Sequence, residues 1–257
     1  MSDAWVIHER DERGVHRLTL NQPQNFNALG ADMIAAIQSV LDAVAKDDAA
    51  RVLVIGAAGK AFCPGHNLKE MISTPTNEAY NTLFNQCTKM MMSLIKLPVP
   101  VIARVQGIAT AAGCQLVAQC DLAVAVQEAR FAVSGVNLGL FCSTPSVSLS
   151  RNVPTKAAME MLITGEFISA QQALQWNLIN RVCEASELDA TVEQLVQNIL
   201  KKPRLALAMG KEMFYKQREM GMEAAYQLAG HTMACNMLDA SALEGVTAFT
   251  EKRAPKW

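Results

Sequence analysis

The segment that decides the fold is residues 101–126, with the sequence VIARVQGIATAAGCQLVAQCDLAVAV. It opens with an apolar run over 101–105 and closes with another over 122–126, and short continuous runs of this kind are typical of strands buried on both faces. A turn of small residues and a helical pattern over 111–119 lie between them. Two buried strands joined through a helix by short links predict a parallel sheet covered by helices, so we expect an α/β fold.

The same alternation extends toward the N-terminus, where the pattern predicts further elements. The predicted strands there are 5–10, 15–20 and 51–56, and the predicted helices are 31–45 and 78–97. Residues 59–65 are predicted to form a loop, and Asn67 is predicted to cap a short helix.

Toward the C-terminus the pattern becomes almost entirely helical. From Pro154 onward nearly every segment has apolar residues at helical spacing, which predicts a change of architecture near residue 195. We therefore expect a core over residues 1–195 and a helical region over residues 196–257.

Composition narrows the class of protein. Of the 257 residues, 51% are hydrophobic and 18% are charged, so a large core is expected and disorder is not. The formal net charge is -1, which gives no overall basic field of the kind that attracts nucleic acid. The most apolar window, 99–126, contains Arg104 and Asp121 and is therefore not a membrane span.

Cysteine and histidine usage points to a reducing compartment and to no metal centre. Seven cysteines cannot all pair within one chain, and none form a C-x-x-C motif, so reduced thiols are expected. The four histidines show no spacing typical of metal ligands. The first residues lack the pattern of a signal peptide. We therefore expect a soluble cytoplasmic protein without a metal or a membrane partner.

Two loops with small residues directly follow predicted buried strands. One is AFCPGHNL over residues 61–68, and the other is the turn that begins at Gly107. Because ligands bind outside the carboxyl ends of strands in open α/β sheets, both loops could aim main-chain N–H groups at one point. Such donors suit an oxygen that gains negative charge. Small residues also let a helix pack closely on a sheet, and from the pattern alone this alternative stays open.

Several longer motifs then point to a family. FCPGHNLKEM at 62–71, VQGIATAAGCQL at 105–116 and FTEKRAP at 249–255 stand in order along the chain, which resembles the enoyl-CoA hydratase/isomerase (crotonase) family. The resemblance implies a crotonase-like spiral of ββα units with a helical C-terminal part that builds trimers or dimers of trimers. It also implies an acyl-CoA thioester as substrate, with coenzyme A entering as part of that substrate and no separate cofactor.

The resemblance also places the site. It implies that the N–H groups of His66 and Ala112 form the oxyanion hole. The residues implied on the coenzyme A side are Gln24, Phe26, Asn27, Ala28, Pro64, Asn67 and Leu68. Those implied around the acyl group are Met71, Phe141, Cys142 and Ser143. Lys60, Lys69 or the tail cations Lys252, Arg253 and Lys256 are candidates to meet the phosphates, because Gln24 stands where the family often has a basic residue.

Two residues depart from the family pattern. Gln115 and Gly135 occupy the positions of the two glutamates that hydratases of the family use, and neither can exchange a proton near neutral pH. A positioned acid or base typically contributes about 10²–10⁴-fold in rate, so ordinary hydratase activity is expected to be weak. The alternative is an acyl-CoA binding protein with little turnover. Restoring Glu at both positions is expected to raise hydratase activity if the pocket tolerates both side chains.

Overall fold

The computed structural model describes residues 4–257, which form two sheets surrounded by helices. The strands are β1 Val6–Arg10, β2 Val15–Leu20, β3 Val52–Ala57, β4 Ala61–Cys63, β5 Val101–Val105, β6 Ile108–Thr110, β7 Leu122–Val126, β8 Arg130–Ala132, β9 Ile168–Ser169 and β10 Arg181–Cys183. The helices are α1 Ala31–Lys46, α2 Leu68–Ser73, α3 Asn77–Lys96, α4 Ala112–Gln119, α5 Ser143–Asn152, α6 Thr155–Thr164, α7 Ala170–Gln175, α8 Leu188–Leu200, α9 Arg204–Gln217, α10 Met222–Met237 and α11 Ala240–Thr250.

The larger sheet has six strands in the order β1-β2-β3-β5-β7-β10, and only the β1/β2 pair is antiparallel. The smaller sheet has the order β4-β6-β8-β9. Each pair β3–β4, β5–β6 and β7–β8 gives one strand to each sheet before the chain enters a helix. These are successive ββα units, as the sequence resemblance implied, and the α/β prediction is confirmed.

The core forms where the apolar patterns meet. All six residues of β3 are buried, as expected for a strand covered on both faces. Helix α1 buries Met33, Ile37, Val40 and Val44 along one stripe at helical spacing. These matches between pattern and burial explain why the long elements lie within one or two residues of their predicted bounds.

Two of the short strands that were not predicted lie in the candidate loops. The loop expected at 59–65 contains β4, and the turn that begins at Gly107 contains β6. Three-residue strands are too short for an alternating pattern to be visible in the sequence. They pair in parallel within the smaller sheet, so both candidate loops leave the same edge of that sheet.

A buried ionic cluster joins the C-terminal helices to the core. Lys211 on α9 donates from Nζ to the Asp121 carboxylate at 2.7 Å and to the carbonyls of Leu94 and Val99 at 2.8 and 2.9 Å. The Tyr215 hydroxyl donates to the same carboxylate at 2.8 Å. The Asp121 carboxylate therefore binds one cation and one hydroxyl of α9 in a site with little solvent, which fixes that helix on the core.

Residue 195 lies inside α8, and the buried face of this helix, which includes Leu188, Val192 and Val196, packs against the larger sheet. The next two helices, α9 and α10, carry no buried residue. Across residues 4–257, no helix has both the length and the apolar character that a bilayer span requires.

Candidate active site

A cavity of about 640 Å³ opens where α2, α4 and the loop before α5 meet. Its lining residues are Gln24, Asn25, Phe26, Ala28, Pro64, His66, Asn67, Leu68, Lys69, Met71, Phe84, Thr110, Ala111, Ala112, Ser134, Gly135, Leu138, Leu140, Phe141, Cys142, Ser143, Thr144 and Pro145. The structure thus gathers both predicted loops and most of the predicted site residues around one space. This volume lies in the range of cavities that bind small molecules.

Gly65 brings the two loops into close contact. It has φ +98°, and a Cβ added there would lie 2.8 Å from the Ala111 Cβ and 3.1 Å from the Ala112 nitrogen. Only glycine accepts both this backbone angle and this proximity at no steric cost. The main chain after β4 therefore lies directly against the start of α4.

His66 and Ala112 each carry a main-chain N–H without a partner among residues 4–257. The carbonyl of Gly65 accepts from the Leu29 N–H at 2.8 Å, and the Asn67 N–H donates to the Leu29 carbonyl at 3.2 Å, so the bonds on either side of His66 are made. Ala112 is the first residue of α4, where an N–H has no carbonyl partner within the helix. Two free donors at one cavity suit an oxygen that gains negative charge.

The residue before Ala112 is held in a rare conformation. Ala111 has φ 48° and ψ -120°, a region that a non-glycine residue seldom occupies. Its N–H donates to the Ala132 carbonyl at 2.9 Å in the neighbouring strand β8. The smaller sheet thereby fixes the peptide that carries the free N–H of Ala112.

The His66 side chain is neutral at physiological pH. Burial lowers the pKa of its imidazole to about 4. The ring meets the Phe84 ring edge to face with 5.3 Å between centroids, and its Nε2 atom is buried without a hydrogen-bond partner among the described residues. The imidazole is therefore a weak base, and it makes no hydrogen bond with the described residues.

Gln115 lies one turn into α4, with 5% of its surface exposed. It does not line the cavity, and its Oε1 atom is buried without a partner among residues 4–257. Residues three apart share a helix face, so Gln115 lies behind Ala112. The amide can accept or donate a hydrogen bond there but cannot transfer a proton.

Gly135 lines the cavity but leaves no room for a side chain. An added Cβ would overlap the Leu140 carbonyl oxygen and lie 2.8 Å from the Cys142 Sγ. The Gly135 N–H donates to that sulfur at 3.3 Å, and the Leu140 N–H donates to the Gly135 carbonyl at 3.0 Å. Because the loop closes onto Gly135, the structure leaves too little space for Glu at this position, so the condition attached to the double Glu variant is not met.

Six of the seven residues implied on the coenzyme A side line the cavity, and Asn27 does not. Asn27 is fully buried, and its side chain donates to the carbonyls of Ala58 and Ala61 while accepting from the Gln22 N–H. These hydrogen bonds connect the loop after β2 to the segment between β3 and β4 and to β4. Phe26, the residue before it, has φ 53° and remains 57% exposed at the cavity rim.

All four residues implied around the acyl group line the cavity. Burial raises the pKa of the Cys142 thiol, so the thiol form dominates at neutral pH and a nucleophilic role is disfavoured. Helix α5 begins at Ser143, and Cys142 makes no side-chain cap.

The sequence alone did not identify the other apolar lining residues, Phe84, Leu138 and Leu140. Nothing in the pattern of the long helix α3 distinguished Phe84 from a core residue.

The candidate cations are unevenly placed. Lys69 lines the cavity, and Lys60 does not. Arg253 is paired within the tail, with Glu244 at 2.6 Å and with Glu251 at 2.6 Å. Lys69 is therefore the candidate that this chain itself presents to a phosphate. In residues 4–257 no group of three or more metal-ligating side chains is gathered.

The comparisons with known proteins agree with this geometry. A sequence model of the family described as enoyl-CoA hydratase/isomerase matches residues 10–257. The fold is similar to the crystal structure of an enoyl-CoA hydratase from Mycobacterium smegmatis, with a TM-score of 0.98, 58% identity and 99% of each chain covered. The chain is also 32% identical over 257 residues to the 1,2-epoxyphenylacetyl-CoA isomerase of Escherichia coli K12, covering 96% of this chain and 95% of that one.

One comparison corrects the expected location. The chain is 44% identical over 248 residues to a relative from Xenopus laevis named enoyl-CoA hydratase domain-containing protein 3, mitochondrial, covering 96% of this chain and 84% of the relative. Relatives with the same name from rat, mouse, zebrafish and human are 42–43% identical. The word mitochondrial in these names contradicts the prediction of a cytoplasmic protein.

Proposed function

The chain belongs to the enoyl-CoA hydratase/isomerase family, and from this premise we propose that it binds an acyl-CoA thioester and stabilises the enolate oxygen of that thioester. The observation that carries the proposal is the pair of unpartnered N–H groups, on His66 and Ala112, at the wall of one cavity. Donors fixed in place by the surrounding fold stabilise developing charge without reorganising, which is commonly worth about 3–4 kcal/mol for one donor.

The reaction is one that needs few proton carriers. Among residues 4–257, no Asp or Glu lines the cavity, and the side chain at 115 is an amide behind the wall. Hydration of a conjugated double bond needs a base for the water and an acid for the α-carbon. We therefore propose weak hydration, with thioester cleavage or decarboxylation as reactions that the two N–H groups serve better.

The absence of a carboxylate from the lining also favours a second candidate, an acyl-CoA binding protein with little turnover. The two candidates share affinity for acyl-CoA and differ in rate. Steady-state turnover of crotonyl-CoA distinguishes both candidates from an ordinary hydratase. A rate near that of efficient hydratases would refute the proposal that Gln115 and Gly135 leave the site without proton carriers.

The oxyanion role is tested by His66→Pro against His66→Ala, with binding of butyryl-CoA measured by calorimetry. Proline removes the N–H at this position, and alanine keeps it. We expect the proline variant to lose most of its affinity while the alanine variant keeps it. Equal losses in two folded variants would contradict the role of the N–H and point to the imidazole.

We also propose that the chain forms a homo-oligomer, a trimer or a dimer of trimers. The C-terminal helices leave large apolar side chains in solvent, including Met222 at 79%, Leu238 at 83% and Phe249 at 84% exposure. An interface between copies of the chain would remove such side chains from water. Sedimentation equilibrium gives the mass directly, and a monomer at micromolar concentration would contradict the proposal.

A further inference from the structure

A second cavity lies on the larger sheet and is separate from the candidate active site. It has a volume of about 650 Å³ and is bounded by β2, β3 and β5 on one side and by α8 on the other. The two cavities share no lining residue, and none of the predicted site residues lies in this one. Its size is typical of sites that bind small molecules.

The floor of this cavity is main chain. Thr19 on β2 pairs with Gly56 on β3, and Arg104 follows the next paired position on β5, so all three lie on one face of the sheet. The φ of Gly56 is not positive, and the nearest atom to an added Cβ would be the Arg104 Cδ at 3.4 Å, an ordinary contact. Neither the backbone angle nor crowding requires glycine here. A glycine inside a strand often marks a place where a ligand approaches the main chain.

The polar groups of the cavity include hydrogen-bond donors without a partner. Arg17 donates to Glu193 through Nη2 at 3.2 Å, and Arg104 donates to Asp189 through Nε and Nη2 at 2.6 and 3.2 Å. The other guanidinium N–H groups of Arg17 and Arg104, and the Thr19 hydroxyl, make no hydrogen bond with residues 4–257. In contrast, every carboxylate oxygen of Asp189 and Glu193 already accepts one. A ligand that supplies acceptors is the partner that these donors lack.

The ion pair of Arg104 and Asp189 indicates which acceptor fits. Two guanidinium nitrogens meet the two carboxylate oxygens side by side, which is the arrangement that arginine adopts with a carboxylate. The Asp189 side chain is 81% exposed, and ion pairs in contact with water are weak. A carboxylate from a ligand therefore replaces Asp189 at little cost while that side chain turns to solvent. The walls include Val54, Ala57 and Val192, which suit a short apolar body.

We propose that this cavity is a second binding site and that it takes a small carboxylate anion with a short alkyl body. The carboxylate binds the Arg104 guanidinium in place of Asp189, and Arg17 and the Thr19 hydroxyl supply further donors. The alkyl body lies over the main chain of Gly56. The site goes beyond the thioester chemistry of the proposed function and does not depend on it.

Calorimetric titration with hexanoate tests the site, with hexanol and inorganic phosphate as comparison probes. We expect hexanoate to bind the wild type at least tenfold more tightly than either comparison probe. Arg104→Gln should weaken hexanoate binding at least tenfold, whereas Asp189→Asn should strengthen it several-fold because the competing carboxylate is removed. Arg130→Gln removes an exposed arginine outside the cavity and should leave the affinity unchanged.

Gly56→Val shows whether hexanoate binds in this cavity or elsewhere. Valine suits a buried strand and fills the space over the sheet, so binding should be lost, and the smaller Gly56→Ala should weaken it less. Thermal unfolding establishes that each variant is folded. Binding that survives in folded Gly56→Val would overturn the location, and equal affinities for Asp189→Asn and the wild type would contradict the exchange at Arg104. Hexanol or phosphate binding as tightly as hexanoate would refute the carboxylate assignment, and no saturable binding to the wild type would refute the site.

Discussion

Gly135→Ala measures whether the loop over Gly135 leaves space for a side chain at this position, where the resemblance predicts that the family has a glutamate. The backbone angle of Gly135 is one that alanine accepts, because φ there is not positive. On backbone entropy alone, the substitution would stabilise the protein by about 0.4–1 kcal/mol. The sign of the measured change therefore reports whether there is space for a side chain.

The structure leaves too little space for the added methyl group. Its carbon would lie 2.8 Å from the Cys142 Sγ and would overlap the Leu140 carbonyl oxygen, whereas nonbonded carbon contacts are favourable at about 3.5–4.0 Å. Overpacking of this kind costs about 1–3 kcal/mol, which outweighs the entropy gain. We expect a net loss of about 1–2 kcal/mol, or roughly 2–8 °C in Tm for a chain of this size.

Thermal unfolding followed by circular dichroism gives the result, with Gly210→Ala as the matched control. Gly210 lies within α9, and a Cβ there meets no atom within 4 Å. Alanine should stabilise that helix by about 1 kcal/mol. A rise in Tm for Gly135→Ala that matches Gly210→Ala would refute the closed loop. The closed loop also predicts that Gly135→Glu brings no gain in hydratase rate, which leaves Gln115→Glu as the informative variant for restored activity.

Three further predictions concern residues that shape the site or fix the C-terminal helices on the core. Ala111→Gly should raise stability by about 1 kcal/mol, because relief of strain of about 1–3 kcal/mol exceeds the added chain entropy; a lower Tm would show that no strain is stored there. For His66, the unfolded chain takes up a proton near pH 6.5 and the folded protein only near pH 4, so stability present above pH 6.5 is lost as pH falls through this window. In urea titrations from pH 7 to pH 4, the free energy of unfolding should fall by up to about 3 kcal/mol more for the wild type than for His66→Gln. Parallel falls in the two proteins would contradict a neutral imidazole in the folded state. Lys211→Met should cost about 3–5 kcal/mol by leaving the Asp121 carboxylate without its cation, and Tyr215→Phe should cost less; equal urea midpoints for the two variants would argue against the buried ion pair.

Most of the long elements could be predicted from local sequence pattern. The long helices and the buried strands β3, β5 and β7 show their periodicity over enough residues to be placed within one or two positions. The two loops after β3 and β5 were identified because small residues follow buried strands. The resemblance then assigned His66 and Ala112, and the structure places both at one cavity.

Tertiary contacts decided what local pattern could not. The three-residue strands β4, β6 and β8 exist because they pair with each other across the chain, and alone they carry too little pattern to be recognised. Asn27 looked like a ligand contact and is instead enclosed by carbonyls more than thirty positions away. Such residues depend on neighbours that are distant in sequence.

Position 135 shows the division most clearly. The sequence by itself determined that this chain has a glycine there and an amide at 115, from which the resemblance predicted that two proton carriers are missing. Only the tertiary structure decided that a side chain at this position has too little space, because Leu140 and Cys142 fold back over it. Residue identity and periodicity are local properties of the chain, whereas the space around a Cα is set by whatever the fold packs against it.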